Sequence, residues 1–393
     1  MPKISVIVPV LNAGKYIDHC LESIVNQTVS DIEILLMVGF GKDDSLDRCL
    51  SWQKKDGRII VVSRRDTSLG DARNYALKLA KGEYIAYADA DDYYSPEYLQ
   101  KMCEPLETDQ SIDISCCEYS RFDDYDTGVV SLYRNDGVVE LDYDSYLVEV
   151  PQAAVWMKLF RRKWLFENGI EMFDGCCEDQ ALHFVLAALV KKAFLIKEPL
   201  YHYNVGNEGS LVRTLESMTD YAPAVEYAIA YLEEKNLYEI NRNAILNKVC
   251  QFYQDFLRES GNEEKVRLSA ECFIEKYFPE VIEDYEASLN SDRCIQGKVI
   301  LYGAGDDSAT FLKRNDAAEA MSHISYIVDR NPQLQGKERN GLVIRSPQDM
   351  YAEKEKISVI IASRRYYYEI VRELRSHGVN SIFKPDEFID ACI

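Results

Sequence analysis

The sequence predicts an α/β protein built on mostly parallel sheets, and three observations carry that reading. Apolar strands alternate with helical stretches through roughly the first hundred residues, at the pitch of βαβ units. One of those strands runs into a cluster of carboxylates, Asp89-Ala90-Asp91-Asp92, at the end where open α/β sheets bind ligands. A second unit of strand, glycine turn and helix begins at Lys298.

The elements follow in order. Ile4–Pro9 is an apolar run with no cleavage-site pattern, so it reads as a first buried strand rather than a signal peptide. Ala13–Asn26 places Ile17, Cys20, Leu21 and Ile24 at helical spacing. Ile32–Val38 is a second buried strand, followed by the turn-rich stretch Gly39–Ser45. Leu46–Gln53 reads as a helix, Ile59–Ser63 as a strand, Leu69–Ala80 as a helix ended by Lys81-Gly82, and Glu83–Ala88 as a strand. Ser95-Pro96 supplies an N-cap and a first-turn proline for the next helix. Tyr119–Leu147, rich in Asp and Tyr with weak period-2 pieces, predicts loops and a small mixed sheet. Trp156–Asn168 and Asp179–Val190 read as helices, and Phe194–Tyr203 as a closing strand.

Further along the chain the character changes. Ile240, Ala244, Ile245, Val249, Phe252, Tyr253 and Phe256 recur every three to four residues, an amphipathic helix suited to packing or to homodimerisation. In the last hundred or so residues, Val299–Tyr302 reads as a strand and Phe311 and Leu312 lie on a helix. Ile324–Val328, ending at Asp329, and Ile357–Ala362 are further strands. The expected organisation is a domain over 1–215, a helical connector over 216–295, and a small Rossmann-like α/β domain over 296–393.

Composition narrows the function. A chain of 393 residues is two or three domains at ~150 residues each. With 45 basic and 66 acidic side chains the net charge is −21, which repels nucleic acid and anionic lipid. No stretch approaches the ~20 apolar residues of a membrane span. The eleven cysteines are odd in number and contain no CxxC, which argues against a disulfide framework or a zinc cluster and for a reducing, cytoplasmic setting. Peripheral association with the inner face of a membrane is compatible with this. Small molecules or glycans are the expected substrates.

The acidic turn carries the chemistry. Crowded carboxylates repel one another unless a cation sits among them, and oxygen ligands select a hard ion such as Mg²⁺ or Mn²⁺, which also clamps a diphosphate. A solvated acidic turn is the alternative on these residues alone. The surrounding series decides between them: Ser5–Asn12, Ser23–Thr28, Asp71-Ala72-Arg73-Asn74, Lys81–Ile85 and Asp89–Asp92. It continues through Trp156, Lys158–Arg162, Glu178-Asp179 and Pro199–Tyr203. In order and spacing the series resembles the family 2 glycosyltransferases of the GT-A fold, over roughly residues 1–215.

The resemblance implies inverting transfer of a sugar from a nucleotide diphosphate sugar to an acceptor hydroxyl, the acceptor being a glycan or a lipid-linked or protein-linked group. It assigns Pro9, Asn12, Asp71, Arg73 and Asp89 to the donor pocket, Asp89 at the ribose. It makes Asp91 the ligand of a Mn²⁺ or Mg²⁺ ion that bridges to the diphosphate, and Asp179 the general base. Trp156, Lys158, Glu178 and His202 fall on the acceptor or donor-sugar side. His202 either completes the metal shell or is a structural histidine, and Arg73 has a simpler reading as a surface ion pair with Asp71.

Two positions depart from the family pattern. Leu11 stands where Tyr is usual, and Gly39 where an Asp contacts the uracil edge. Either other groups hold the base, or the nucleotide is not uridine, or donor binding is impaired. The last possibility would make the chain a catalytically impaired relative that binds nucleotide or scaffolds an assembly complex. In the C-terminal domain, Gly303-x-Gly305-x-x-Ser308 and Asp329 resemble a dinucleotide fingerprint. Ser308 replaces its third glycine, and Asp306-Asp307 places negative charge beside any pyrophosphate. Packing or partner docking is therefore expected there rather than tight NAD binding, and a dehydrogenase lacks any candidate hydride-transfer site.

Overall fold

The computed structural model describes residues 2–123, 128–133, 136–207, 221–259, 272–279, 295, 297–314, 321–353, 356–362, 367–379, 381–383, 385 and 388. They form two compact units, Met1–Asn241 and Arg242–Ile393. The expected boundary near 215 and the stretches 260–271 and 280–294 of the connector lie outside the described residues.

The first unit is built on ten strands. These are β1 (Ile4–Val10), β2 (Ile32–Val38), β3 (Ile59–Ser63), β4 (Tyr84–Tyr87), β5 (Tyr93–Tyr94), β6 (Ile114–Phe122), β7 (Val129–Val130), β8 (Gly137–Glu140), β9 (Lys158–Arg161) and β10 (Lys192–Asn204). The sheet order is β3-β2-β1-β4-β9-β6-β10-β5, with β7 on β6 and β8 on β10. Every residue of β1, β2 and β4 is buried, as continuous apolar runs in a sheet covered on both faces require. These three strands and β3 are parallel, with Val10 opposite Val38 and Val38 opposite Ser63. That register brings the loops after β1, β2, β3 and β4 to one edge.

The helices of this unit are α1 (Ile17–Val25), α2 (Ser45–Lys55), α3 (Leu69–Leu79), α4 (Tyr98–Thr108), α5 (Tyr143–Glu149), α6 (Arg162–Asn168), α7 (Glu178–Leu189) and α8 (Tyr221–Glu234). On α1 the buried positions are Ile17, Cys20, Leu21 and Ile24, the stripe its spacing predicts. Helix α8 packs along α7. The amphipathic run around Ile245 and Val249 lies on α9 (Tyr238–Glu259). Among the described residues no helix is long and apolar enough to cross a membrane.

Three sequence expectations need correction. Lys158–Arg161, read as the start of a helix, is the strand β9; helix begins only at Arg162. Its apolar pair Leu159-Phe160 suits either period, and antiparallel pairing with β4 on one side and β6 on the other decides for strand. Ser95-Pro96 does not cap α4, whose N-cap is Glu97. The Ser95 hydroxyl bonds His202 Nε2 instead, at 2.8 Å. The stretch from Tyr119 carries the expected mixed strands, the end of β6 with β7 and β8, but also an unexpected helix, α5, which starts in a capping box at Asp142.

The second unit holds a separate sheet of β11 (Lys298–Tyr302), β12 (Ile324–Val328), β13 (Glu338–Arg339), β14 (Leu342–Arg345), β15 (Ile357–Ile361) and β16 (Ser381–Phe383), in the order β13-β14-β12-β11-β15-β16. All pairs are parallel except β13 with β14. Val299 and Leu301 enter one apolar cluster, while Ile300 and Tyr302 enter another. The strands are thus buried on both faces, as in a covered α/β sheet. The glycine turn opens at Gly303 (φ +99°). There Asp329 Oδ2 accepts the amide of Ala304 at 2.6 Å, so the carboxylate expected at a ribose is engaged by the loop itself.

Candidate active site

The loops at the carboxyl edge are fastened to one another by polar bonds. Asn12, in the left-handed region at φ +51°, accepts the Lys42 amide on Oδ1 at 2.7 Å. The Ala13 amide donates to Ser45 Oγ at 2.8 Å, and Gly14 to Asp43 Oδ2 at 2.7 Å. Pro9 lies buried within β1 just upstream. Asn12 therefore serves as a tie between the loops after β1 and β2.

The three carboxylates of the acidic turn point to different partners. Asp92 turns inward and is buried, accepting Tyr201 OH at 2.6 Å and the Asn204 amide at 2.7 Å. Only Asp89 and Asp91 remain for a ligand, which corrects the picture of three crowded acids. Asp89 Oδ1 takes Arg73 Nη2 at 2.6 Å. Asp91 Oδ2 takes the neutral amide of Asn207 at 2.7 Å, a residue the sequence reading did not single out. Burial, and then the Asp89 charge, push the Asp91 carboxyl above its usual range. A cation is the natural relief for that charge, and the donor set is all oxygen, so a hard divalent ion fits. Among the described residues no three His, Cys, Asp or Glu side chains form a ready cage. Asp91 would thus share the ion with ligand oxygens and water.

Arg73 is the centre of the site. It is 2% exposed and pairs with Asp89 on one side and with Glu178 on the other. The surface pairing with Asp71 does not form; Asp71 instead binds Arg64 at 2.7 Å and the Thr67 amide at 3.2 Å. Burial raises the Glu178 carboxyl to about 7, although Arg73 opposes this. Asp179 follows on the first turn of α7. Its carboxyl is also pushed up by burial, with Arg73 and then Lys158 pulling it down. The chain reaches this turn through Cys177, whose φ of +63° is rare for a residue with a side chain.

Long-range bonds fix α3 against the segment before α7. Asn74 binds the main chain of Met172 twice, donating to its carbonyl at 2.8 Å and accepting its amide at 2.7 Å. Thr67 and Ser68 donate to Asp174 Oδ1 at 2.8 and 2.6 Å. The approach is so close that a Cβ on Gly70 would lie 1.9 Å from the Phe173 carbonyl oxygen. Gly70→Ala must push these backbones apart, and an overpacking cost of about 1–3 kcal/mol is expected, read as a lowered melting temperature with weakened nucleotide binding.

The remaining site residues are positioned by the core. Lys158 is fully buried, and its ammonium donates to the carbonyls of Gln152, Ala153 and Ala154 at 2.8, 3.1 and 2.8 Å. All its donors are spent on that loop, so it holds the loop and can touch a sugar only by giving one up. Burial lowers it to about 8. Trp156 stacks on Tyr201 at 4.1 Å and near Tyr203 at 5.7 Å. His202 stacks on Tyr93 at 4.3 Å, with its ring nitrogens bonded to Ser95 and to Ser120 at 2.8 and 2.6 Å. Both nitrogens are therefore occupied, which favours the structural reading of His202 over the metal shell.

Comparison with known proteins then decides the family. The profile of "Glycosyl transferase family 2" matches residues 5–168, which include β1, the acidic turn and Arg73. Residues 5–168 form a family 2 glycosyltransferase domain. The chain is 28% identical over 258 residues to EpsH of Bacillus subtilis (strain 168), whose name is that of a glycosyltransferase, covering 62% of this chain and 73% of EpsH. It is 31% identical over 211 residues to the uncharacterized glycosyltransferase EpsJ of the same strain, covering 52% of this chain and 61% of EpsJ. In fold, it is similar to S. aureus TarS 1–349 in complex with UDP-GlcNAc, with a TM-score of 0.60 and 20% identity, over 73% of this chain and 85% of that one. The GT-A architecture expected for the family 2 domain is thus present, and the matched domain is that of a glycosyltransferase.

Proposed function

We propose that the family 2 domain catalyses inverting, divalent-metal-dependent transfer of a sugar from a nucleotide diphosphate sugar to an acceptor hydroxyl on a glycan or on a lipid-linked or protein-linked group. The observation that carries this reading is the buried Asp89–Arg73–Glu178 bridge. It ties the acidic turn after β4 to the start of α7, so an acid for the donor and an acid for the acceptor belong to one rigid assembly.

Inversion requires a base on the face of the sugar opposite the leaving diphosphate. Asp179 takes the acceptor proton in this scheme, and the burial that raises its carboxyl makes it a stronger base than a free aspartate. Arg73 holds Asp89 and Glu178 in place, Asp89 presents to the ribose, and Asp91 would hold the metal. When bound, that ion carries charge that develops on the leaving diphosphate. Nucleotide-sugar turnover is expected to fall at least ~10-fold in excess EDTA and to return with Mn²⁺ or Mg²⁺. Asp91→Asn should reproduce the loss without lowering the melting temperature. Full turnover in EDTA would refute metal dependence.

The second reading, a silent relative that binds nucleotide or scaffolds, draws on Leu11, 62% exposed at the end of β1, and on Gly39. The assembled acids oppose it. Hydrolysis or transfer with any of a panel of nucleotide sugars separates the two.

A further inference from the structure

The turn that carries Asp89 and Asp91 has no ladder of its own to hold it. It joins β4 to β5, and those strands do not pair: β9, β6 and β10 lie between them in the sheet order. The Asp92 amide closes the turn on the Asp89 carbonyl at 3.1 Å. The Asp89 amide donates to a side chain on another strand, the Tyr201 hydroxyl of β10, at 3.1 Å. That hydroxyl in turn donates to Asp92 Oδ2 at 2.6 Å, while Asp92 Oδ1 accepts the Asn204 amide at 2.7 Å. One phenol oxygen thus joins the first amide of the turn to its last carboxylate, with Asp91 enclosed between them.

The phenol is itself fixed. Tyr201 is fully buried, its ring stacked on Trp156 at 4.1 Å and edge-on to Tyr94 and Tyr98 at 5.7 and 6.4 Å. On the sheet it stands opposite Tyr119 of β6 on one side and Tyr94 of β5 on the other. Asp92 is 1% exposed and uses both oxygens on β10, so it anchors the turn rather than facing a ligand. The contact of Cys20 Sγ with the Asp89 carbonyl, at 3.5 Å, is a weak thiol bond by comparison.

We propose that Tyr201 is a positioning residue for the divalent ion: its hydroxyl sets the shape of the acidic turn, and so the place from which Asp91 offers its oxygens. The inference rests on the metal-dependent reading proposed above. Tyr201 acts through the Asp89 amide and the Asp92 carboxylate, not by touching the ion. Without the hydroxyl, both of those groups regain partners only if the turn moves or water enters. Removing a group that orients metal ligands from behind typically weakens the metal by about 10–100-fold.

Mn²⁺ binding to the full chain, read from the loss of the free-ion paramagnetic resonance signal, tests this in separate titrations with UDP, GDP, CDP and dTDP. Tyr201→Phe keeps the ring on Trp156 and should weaken Mn²⁺ in the nucleotide complex by about 10–100-fold. Nucleotide-sugar turnover should then need correspondingly more Mn²⁺, with kcat close to wild type once the ion saturates. Tyr98→Phe is the control. It deletes another buried hydroxyl of the same aromatic cluster, one that donates to the Trp156 carbonyl at 2.7 Å. It should lower the melting temperature comparably and leave Mn²⁺ affinity at the wild-type value. Asp92→Asn breaks the Tyr201 bond from its acceptor end, should also weaken Mn²⁺, and decides the matter if Tyr201→Phe does not fold. Wild-type Mn²⁺ affinity in either folded variant, or an equal loss in Tyr98→Phe, overturns the assignment of Tyr201 while leaving metal dependence intact. A wild type that takes up no Mn²⁺ with any of these nucleotides overturns both.

Discussion

Asp179→Asn should slow transfer by ~10²–10⁴ while leaving nucleotide affinity and folding nearly unchanged. The substitution keeps the shape of the side chain at the first turn of α7 and removes its basicity. A carboxylate at a helix start has a second, purely structural use, since it favours the positive end of the helix dipole. That use is worth about 0.3–1 kcal/mol, and asparagine retains part of it, so a structural acid predicts near-normal transfer with a small stability loss. Single-turnover transfer, measured beside UDP affinity and melting temperature, distinguishes the two. A mutant that transfers at the wild-type rate would make Asp179 structure alone, and the base would have to be sought elsewhere at the start of α7.

Arg73→Met should be the most destabilising single change in the donor pocket, by about 3–5 kcal/mol at neutral pH. Removing the guanidinium leaves Glu178 buried and Asp89 half-buried without their positive partner. Glu178 responds by taking up a proton, since burial already holds it at about 7 against an ordinary 4.5. A carboxyl whose folded pKa lies above its unfolded value favours folding while protonated and costs stability as pH rises through that interval. Below about pH 7 both proteins carry Glu178 largely protonated, so the gap between variant and wild type should widen from about pH 7 upward. Urea titrations of both proteins at acid, neutral and mildly alkaline pH measure it. A constant gap would mean that Arg73 acts by packing rather than charge. Lys at this position should recover little, because one ammonium cannot serve Asp89 and Glu178 with the fork that Arg provides.

The parts of the fold legible in the sequence are those whose period is dictated by burial. The strands β1, β2 and β4 are buried along their whole length, and the stripe of α1 alternates between core and solvent, so the pattern fixes their class. Lys158–Arg161 is different, because two apolar residues carry no period and pairing with β4 and β6 settles their state. The same holds for the site. The motifs Asp71–Asn74, Asp89–Asp92 and Glu178-Asp179 mark segments that the Arg73 bridge brings together. Which carboxylate faces a ligand depends on partners far away in the chain, and a string of acids hides this. Asp92 is removed from the ligand side by Tyr201, 109 residues on. Arg73 finds Glu178 at a separation of 105 residues.

The bonds between α3 and the segment before α7 span 98, 105, 106 and 107 residues of chain. Contacts of such sequence separation bear a large loop-closure entropy and are not rewarded until both segments are already ordered. Loop-closure entropy therefore predicts that they form late in folding rather than in its nucleus. Weakening them then leaves the folding rate nearly unchanged and speeds the opening reaction. The unfolding rate of the domain, more than its folding rate, is what Asn74, Thr67, Ser68 and Gly70 are expected to govern.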